Sequence, residues 1–101
     1  MAENSPIPAL IDFWAPGCAP CRIVAPAVEK LSQERAGELK VVKVNTDVAP
    51  ALQERFGIRG IPTLVLMEGA RERDRVTGAL NLNALRRWVE QRVPVRSSAN
   101  G

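Results

Sequence analysis

Two cysteines three positions apart, in Cys18-Ala19-Pro20-Cys21, are the residues best able to do chemistry in this sequence. Disulfide exchange needs a thiolate that attacks and a second thiol close enough to release the mixed disulfide that results. A spacing of three supplies the second thiol. A helix starting at the pair would put Cys18 at its N-terminus, where unpaired N–H groups and the dipole favour negative charge, and Cys21 one turn inside, more shielded. A free thiol of pKa ~8.5 is only about 3% thiolate at pH 7, whereas one lowered to ~7 is about half ionised. That difference is worth about 2 kcal/mol in favour of the anion. Two other readings stand beside redox chemistry: an inert buried pair, and half of a zinc site. Zinc prefers four Cys or His ligands, and with no His and no other Cys the rest would have to come from a second chain. A link across so short a loop restrains little of the unfolded chain, so reactivity explains the pair better than a structural staple does.

The flanking sequence builds the elements that must position the pair. Residues 8 to 15 (Pro-Ala-Leu-Ile-Asp-Phe-Trp-Ala) are a nearly continuous apolar run ending at Pro16-Gly17, which suits a strand buried on both faces. From Cys18 onward Ile23, Val24, Ala27, Val28 and Leu31 recur at helical spacing, and Gly37 stops the pattern. Pro26 inside it removes one backbone hydrogen bond and should bend the helix without ending it. Lys40 to Asn45 reads as a β-branched strand, Asp47 to Phe56 as a helix with Pro50 in its first turn, and Thr63 to Met67 as an apolar strand. A turn at Glu68-Gly69-Ala70 leads into Arg71 to Thr77, whose alternating charges suit a solvated edge strand. A last helix from Asn81 to Arg92 places Leu82, Leu85, Trp88 and Val89 on one face, and Pro94 ends it. The order implies two βα crossovers with parallel pairing, then a hairpin and a covering helix, in a three-layer α/β architecture.

The bulk numbers agree with this plan. A chain of 101 residues with 46% hydrophobic and 25% charged residues is one compact domain, here taken as 9–93 between a short tail at 1–8 and another at 94–101. Fourteen Lys and Arg against eleven Asp and Glu leave +3, spread along the chain, so no nucleic-acid partner is expected. No apolar run reaches the ~18 residues that would span a bilayer, and Met1 to Pro8 lacks the basic start and apolar stretch of a signal peptide. No membrane partner and a cytoplasmic location are therefore the expectation.

The residues also resemble the thioredoxin family, through several separated motifs in the right order. These are Ile11-Asp12-Phe13-Trp14-Ala15 before Cys18-Ala19-Pro20-Cys21-Arg22, then Ala25-Pro26, Gly57-Ile58-Arg59-Gly60-Ile61-Pro62-Thr63-Leu64, and Val76-Thr77-Gly78-Ala79-Leu80. The resemblance implies a thioredoxin-like fold, three-layer α/β/α with a mixed sheet, and a protein disulfide reductase with no bound cofactor. In that reading Cys18 attacks, Cys21 resolves, and Asp12 relays a proton to or from Cys21, with Lys43 nearby. Ile61-Pro62 corresponds to the family's cis-proline opposite the cysteines, where a substrate strand can pair. Trp14 and Gly78 match positions used near the site, and Pro20 belongs to the dipeptide between the cysteines. The implied partners are disulfide-containing proteins and a thioredoxin reductase.

The departures carry information too. The family usually has Trp before the first cysteine and Gly after it, where this chain has Gly17 and Ala19, which bears on docking and reduction potential. The family also begins with a strand and a helix for which eight residues leave no room, as in a naturally short form or a trimmed one. The strand at Val41 to Val44 would then be an open edge, inviting a homodimer. Two rivals to the reductase stand on these departures: a disulfide oxidant or isomerase using the same residues, and a non-catalytic thioredoxin-like binding module.

Overall fold

The apolar run expected before the cysteines forms strand β1 (Ala9–Trp14), and its alternation divides the molecule into two cores. Leu10 and Asp12 face one side of the sheet, Ile11 and Phe13 the other. The structure is a computed structural model that describes residues 7–94. Most of the 1–8 tail and nearly all of the 94–101 tail lie outside the described residues.

Helix α1 (Ala19–Glu34) packs on the Leu10 side through Cys21, Val24, Ala27, Val28 and Leu31. It runs unbroken through Pro26, whose ring is exposed, so the carbonyl left without a donor sits on the solvent side. Ile23 departs from the expected buried face: one residue before Val24 it is rotated about 100° away and is 65% exposed. Strand β2 (Lys40–Asn45) pairs parallel with β1, as a crossover through α1 requires.

Helix α2 is confined to Pro50–Arg55, shorter than the expected Asp47 to Phe56. The Asn45 side chain accepts the Asp47 N–H at 2.9 Å, and the Val48 and Ala49 N–H groups turn back onto the Asn45 carbonyl, each at 3.1 Å. Pro50 then excludes Ala49 from helical geometry, so the helix begins at the proline itself.

The second crossover also departs from the expected parallel pairing. Strand β3 (Thr63–Glu68) runs antiparallel to β1, with Thr63 opposite Phe13. A helix of six residues rises only about 9 Å, less than half the length of a six-residue strand, so the chain re-enters the sheet at the end it left. This brings the start of β3 to the end of β1 that delivers the cysteines. Strand β4 (Arg71–Thr77) completes a hairpin across Gly69-Ala70, and the sheet order is β2-β1-β3-β4. Its alternating charges are satisfied on the surface, with Arg73 on Glu68 at 2.8 Å and Arg75 on Glu72 at 2.6 Å. Such exposed pairs contribute about 0.2–1 kcal/mol each.

Helix α3 (Leu82–Arg92) is capped by Asn81, whose side chain accepts the Ala84 N–H at 2.8 Å, and lies beside α1 over the Leu10 core. One anchor of this layer left no signal in the sequence. Arg35, 5% exposed, donates to the Val93 carbonyl at 2.8 Å and to Glu38 at 3.0 Å, tying the end of α1 to the end of α3. Losing it would strand a buried carbonyl, at a cost of about 1–3 kcal/mol. On the other side of the sheet a smaller core of Phe13, Ile58 and Val65 is closed by Phe56, whose ring lies 5.4 Å from that of Phe13. Helix α2 buries none of its own residues there, so the two faces are unequally covered.

Candidate functional site

Three chain segments converge at the C-terminal end of β1. The strand ends at Trp14, Pro16-Gly17 turns the chain, and Cys18 becomes the N-cap of α1 with extended backbone. Its sulfur accepts the Cys21 N–H at 3.2 Å, so one of the unpaired N–H groups of the helix start is aimed at Cys18 Sγ. Ala19 and Pro20 fill the first turn exposed, where proline's missing N–H removes nothing the helix would use. Cys18 and Cys21 are joined as a disulfide, with Cα atoms 5.2 Å apart. Cys18 is half-buried and Cys21 only 4% exposed, the asymmetry expected of an accessible sulfur and a shielded one.

Asp12, on β1, is 2% exposed. It lines a pocket of about 170 Å³ together with Trp14, Pro16, Cys21, Arg22 and Lys43. Burial pushes the Asp12 carboxyl above its ordinary range, and the positive charge of Lys43, its register partner on β2, pulls it partly back. Asp12 Oδ1 and Trp14 Nε1 are both buried with no hydrogen-bond partner among the described residues. Both residues line the same pocket as Cys21, which leaves an unused carboxylate acceptor and an unused indole donor in its wall.

On the other side of Cys18, the Ile61 carbonyl oxygen is 3.8 Å from its sulfur, and the Ile61–Pro62 bond is cis. The Pro62 carbonyl accepts the Gly78 N–H at 2.9 Å, and Gly78 has φ +115°, a conformation side chains resist. Gly17 is exposed with open space where a Cβ would sit. The expected site residues thus form two groups: Asp12, Trp14 and Lys43 around Cys21, and Ile61, Pro62 and Gly78 beside Cys18.

Several supporting residues were not expected. Thr63, 2% exposed, donates to the Gly60 carbonyl and lies 3.0 Å from the Thr77 hydroxyl, which fixes the loop carrying Ile61 and Pro62. Its signal was a threonine on each of two strands that pair directly. Arg22 donates to the Pro16 carbonyl at 2.9 Å at the pocket wall, and Thr46 donates to the Trp14 carbonyl at 3.1 Å. Neither follows from a spacing rule.

Comparison with known proteins decides among the readings of this site. The family model described as thioredoxin matches residues 2–91. The chain belongs to the thioredoxin family. It is 47% identical over 88 residues to Thioredoxin 1 of Nostoc sp., covering 87% of this chain and 82% of that protein. Identity and coverage are the same against the thioredoxin of Synechocystis sp.. Thioredoxin M-type, chloroplastic, of Pisum sativum is 42% identical over 88 residues, which cover 87% of this chain and 51% of that protein.

The protein is accordingly a thiol–disulfide oxidoreductase of the protein disulfide reductase kind, with a redox-active disulfide in place of a bound cofactor. Thioredoxins act on disulfide substrates and are re-reduced by a thioredoxin reductase or a ferredoxin–thioredoxin reductase. The matches favour neither an oxidant or isomerase nor a non-catalytic binding module. Among the described residues no three His, Cys, Asp or Glu side chains gather to hold a metal, and no helix is long and apolar enough to cross a membrane.

Proposed function

We propose that in the reduced protein Cys18 is the attacking thiolate and Cys21 the resolving thiol. The observation that carries this is the Cys18 sulfur at the helix N-cap, accepting the Cys21 N–H, above a sequestered Cys21. The N–H favours the anion of Cys18 and so its ionisation. Cys18 Sγ attacks one sulfur of a substrate disulfide; that S–S bond breaks, a mixed disulfide forms, and the released thiolate takes a proton from solvent. Cys21 then gives its proton to Asp12 and attacks Cys18 Sγ; the mixed disulfide breaks, the second substrate sulfur leaves as a thiolate that takes a proton from solvent, Asp12 returns its proton to solvent, and the Cys18–Cys21 disulfide remains. Two electrons pass from the dithiol to the substrate, and an external reductase restores them.

In this reading Lys43 tempers the Asp12 carboxyl. Ile61 and Pro62 offer backbone to a substrate strand, Trp14 walls the pocket, and Gly78 holds Pro62 in place. The working unit is the 9–93 domain. Its redox donor is a thioredoxin reductase, and its location is cytoplasmic, where reductants keep a dithiol reduced. Equilibration against glutathione tests the direction of flow. The dithiol is expected to be more reducing than the glutathione couple; a disulfide fully reduced by a small excess of glutathione would refute the reductase role.

A homodimer belongs to the same reading, because β2 has a partner on only one side among the described residues. Lys40 and Lys43 on that strand repel a second copy, so pairing should be weak and strengthened by salt. Sedimentation of the concentrated protein in high salt is expected to give twice the monomer mass. A monomer mass throughout would remove the dimer.

A further inference from the structure

Ile23 is a large aliphatic side chain left 65% exposed on α1. A lone exposed aliphatic needs no explanation. This one walls an open groove of about 280 Å³ whose other sides are Pro26 and Ala27 of α1 and Asn81 and Leu82 at the start of α3. The lining holds no charge, and Asn81 already spends its side-chain oxygen capping α3. The groove is therefore suited to an apolar group.

Its position ties it to the disulfide. Cys18 caps the same helix five residues before Ile23, a rise of about 7.5 Å. Gly78, bonded to Pro62 beside the sulfur, lies three residues before Asn81. Pro20 and Ala19, three and four residues before Ile23 on the same row of α1, are both exposed between the cysteines, so the α1 wall of the groove leads up to the disulfide. An extended chain advances about 3.4 Å per residue, so two or three residues span the distance.

We propose that this groove is a substrate subsite. It takes an aliphatic or aromatic side chain two or three residues away from the cysteine that Cys18 attacks. The occupant is the substrate protein itself, because the α1 wall of the groove leads up to the disulfide and its lining offers nothing to a charged group. The proposal rests on the disulfide-exchange reading of Cys18 and specifies which disulfides are preferred.

The test uses short peptides dimerised through a single cysteine, carrying Leu or Ser at the second and third positions on either side. Bis(2-hydroxyethyl) disulfide serves as a reference without side chains. Rate constants are measured for one turnover of the pre-reduced protein, and the Leu-to-Ser ratio is taken within each variant, so the amount of folded protein cancels. The parent is expected to favour a Leu peptide about tenfold, the factor for partial burial of one aliphatic side chain. Ile23→Ser should bring the ratio close to one, and Ile23→Leu should keep it within about twofold of the parent. A parent ratio near one, or the full ratio retained in Ile23→Ser, would overturn the subsite. A parent that oxidises with neither the peptides nor the reference disulfide would overturn the underlying reading of Cys18 instead.

Discussion

Replacing Cys18 by serine should lower disulfide turnover at least a thousandfold, while Cys21→Ser should complete the first step and stop. The two sulfurs differ in what surrounds them. Cys18 is half-buried at the helix cap, with the Cys21 N–H 3.2 Å from its sulfur, and a substrate can reach it. Cys21 is 4% exposed and shares a pocket lining with Asp12, so with Cys18 gone no readily reachable cysteine remains. Losing an enzyme's nucleophile costs factors of this size or larger because the remaining groups have nothing to assist. Cys21→Ser keeps the nucleophile and loses the exit. A single stoichiometric release of substrate thiol is expected, followed by a stall that added dithiothreitol relieves. Stopped-flow detection of released thiol measures both, and equal losses in the two variants would contradict the division of labour.

Asp12→Asn should slow resolution by Cys21 about a hundredfold at neutral pH, the effect of losing a positioned proton acceptor. The deficit should close above pH ~8.5, where the thiol ionises without help. A residue that only supported the strand would shift the rate by the same factor at every pH. The same substitution should also stabilise the protein. Burial holds the Asp12 carboxyl above the value of about 3.9 that it has in an unfolded chain. Between those two values the folded state binds more protons than the unfolded state, so native stability falls as pH rises through that window. Below it the carboxyl is protonated in both states and the loss is absent; above it the loss is complete and constant. Asparagine carries no charge to bury, so the stability of Asp12→Asn relative to the parent should rise across the window and then level off. Urea unfolding at several pH values reads the difference. A variant less stable than the parent at pH 8 would mean that Lys43 or another partner neutralises Asp12 in place.

The parts of this protein legible in the sequence were those that repeat a local rule. Short apolar runs located β1 and β3, β-branching located β2, alternating charge located β4, helical spacing located α1 and α3, and the cysteine spacing identified the reacting pair. What escaped depends on where distant segments meet. The antiparallel entry of β3 follows from the shortness of α2, and that shortness comes from an asparagine turn ahead of Pro50 rather than from apolar periodicity. Ile23 fits a helical repeat by type, but its angle around α1 turns it outward. Arg35 looks like any surface cation until its guanidinium is seen on the Val93 carbonyl, 58 residues away. Asp12 and Pro62 came from motif resemblance; their environments, a buried orphan carboxyl oxygen and a backbone held by Gly78, belong to the folded structure.

The central claim is that Cys18 takes the substrate and Cys21 releases it. The most direct measurement is mass spectrometric mapping of the adduct formed when reduced Cys21→Ser protein meets a disulfide substrate. The expected result is one substrate half linked to Cys18 in stoichiometric yield, with no such adduct on Cys21 in the Cys18→Ser protein. An adduct on Cys21 in Cys18→Ser, formed as fast as the Cys18 adduct, would contradict it.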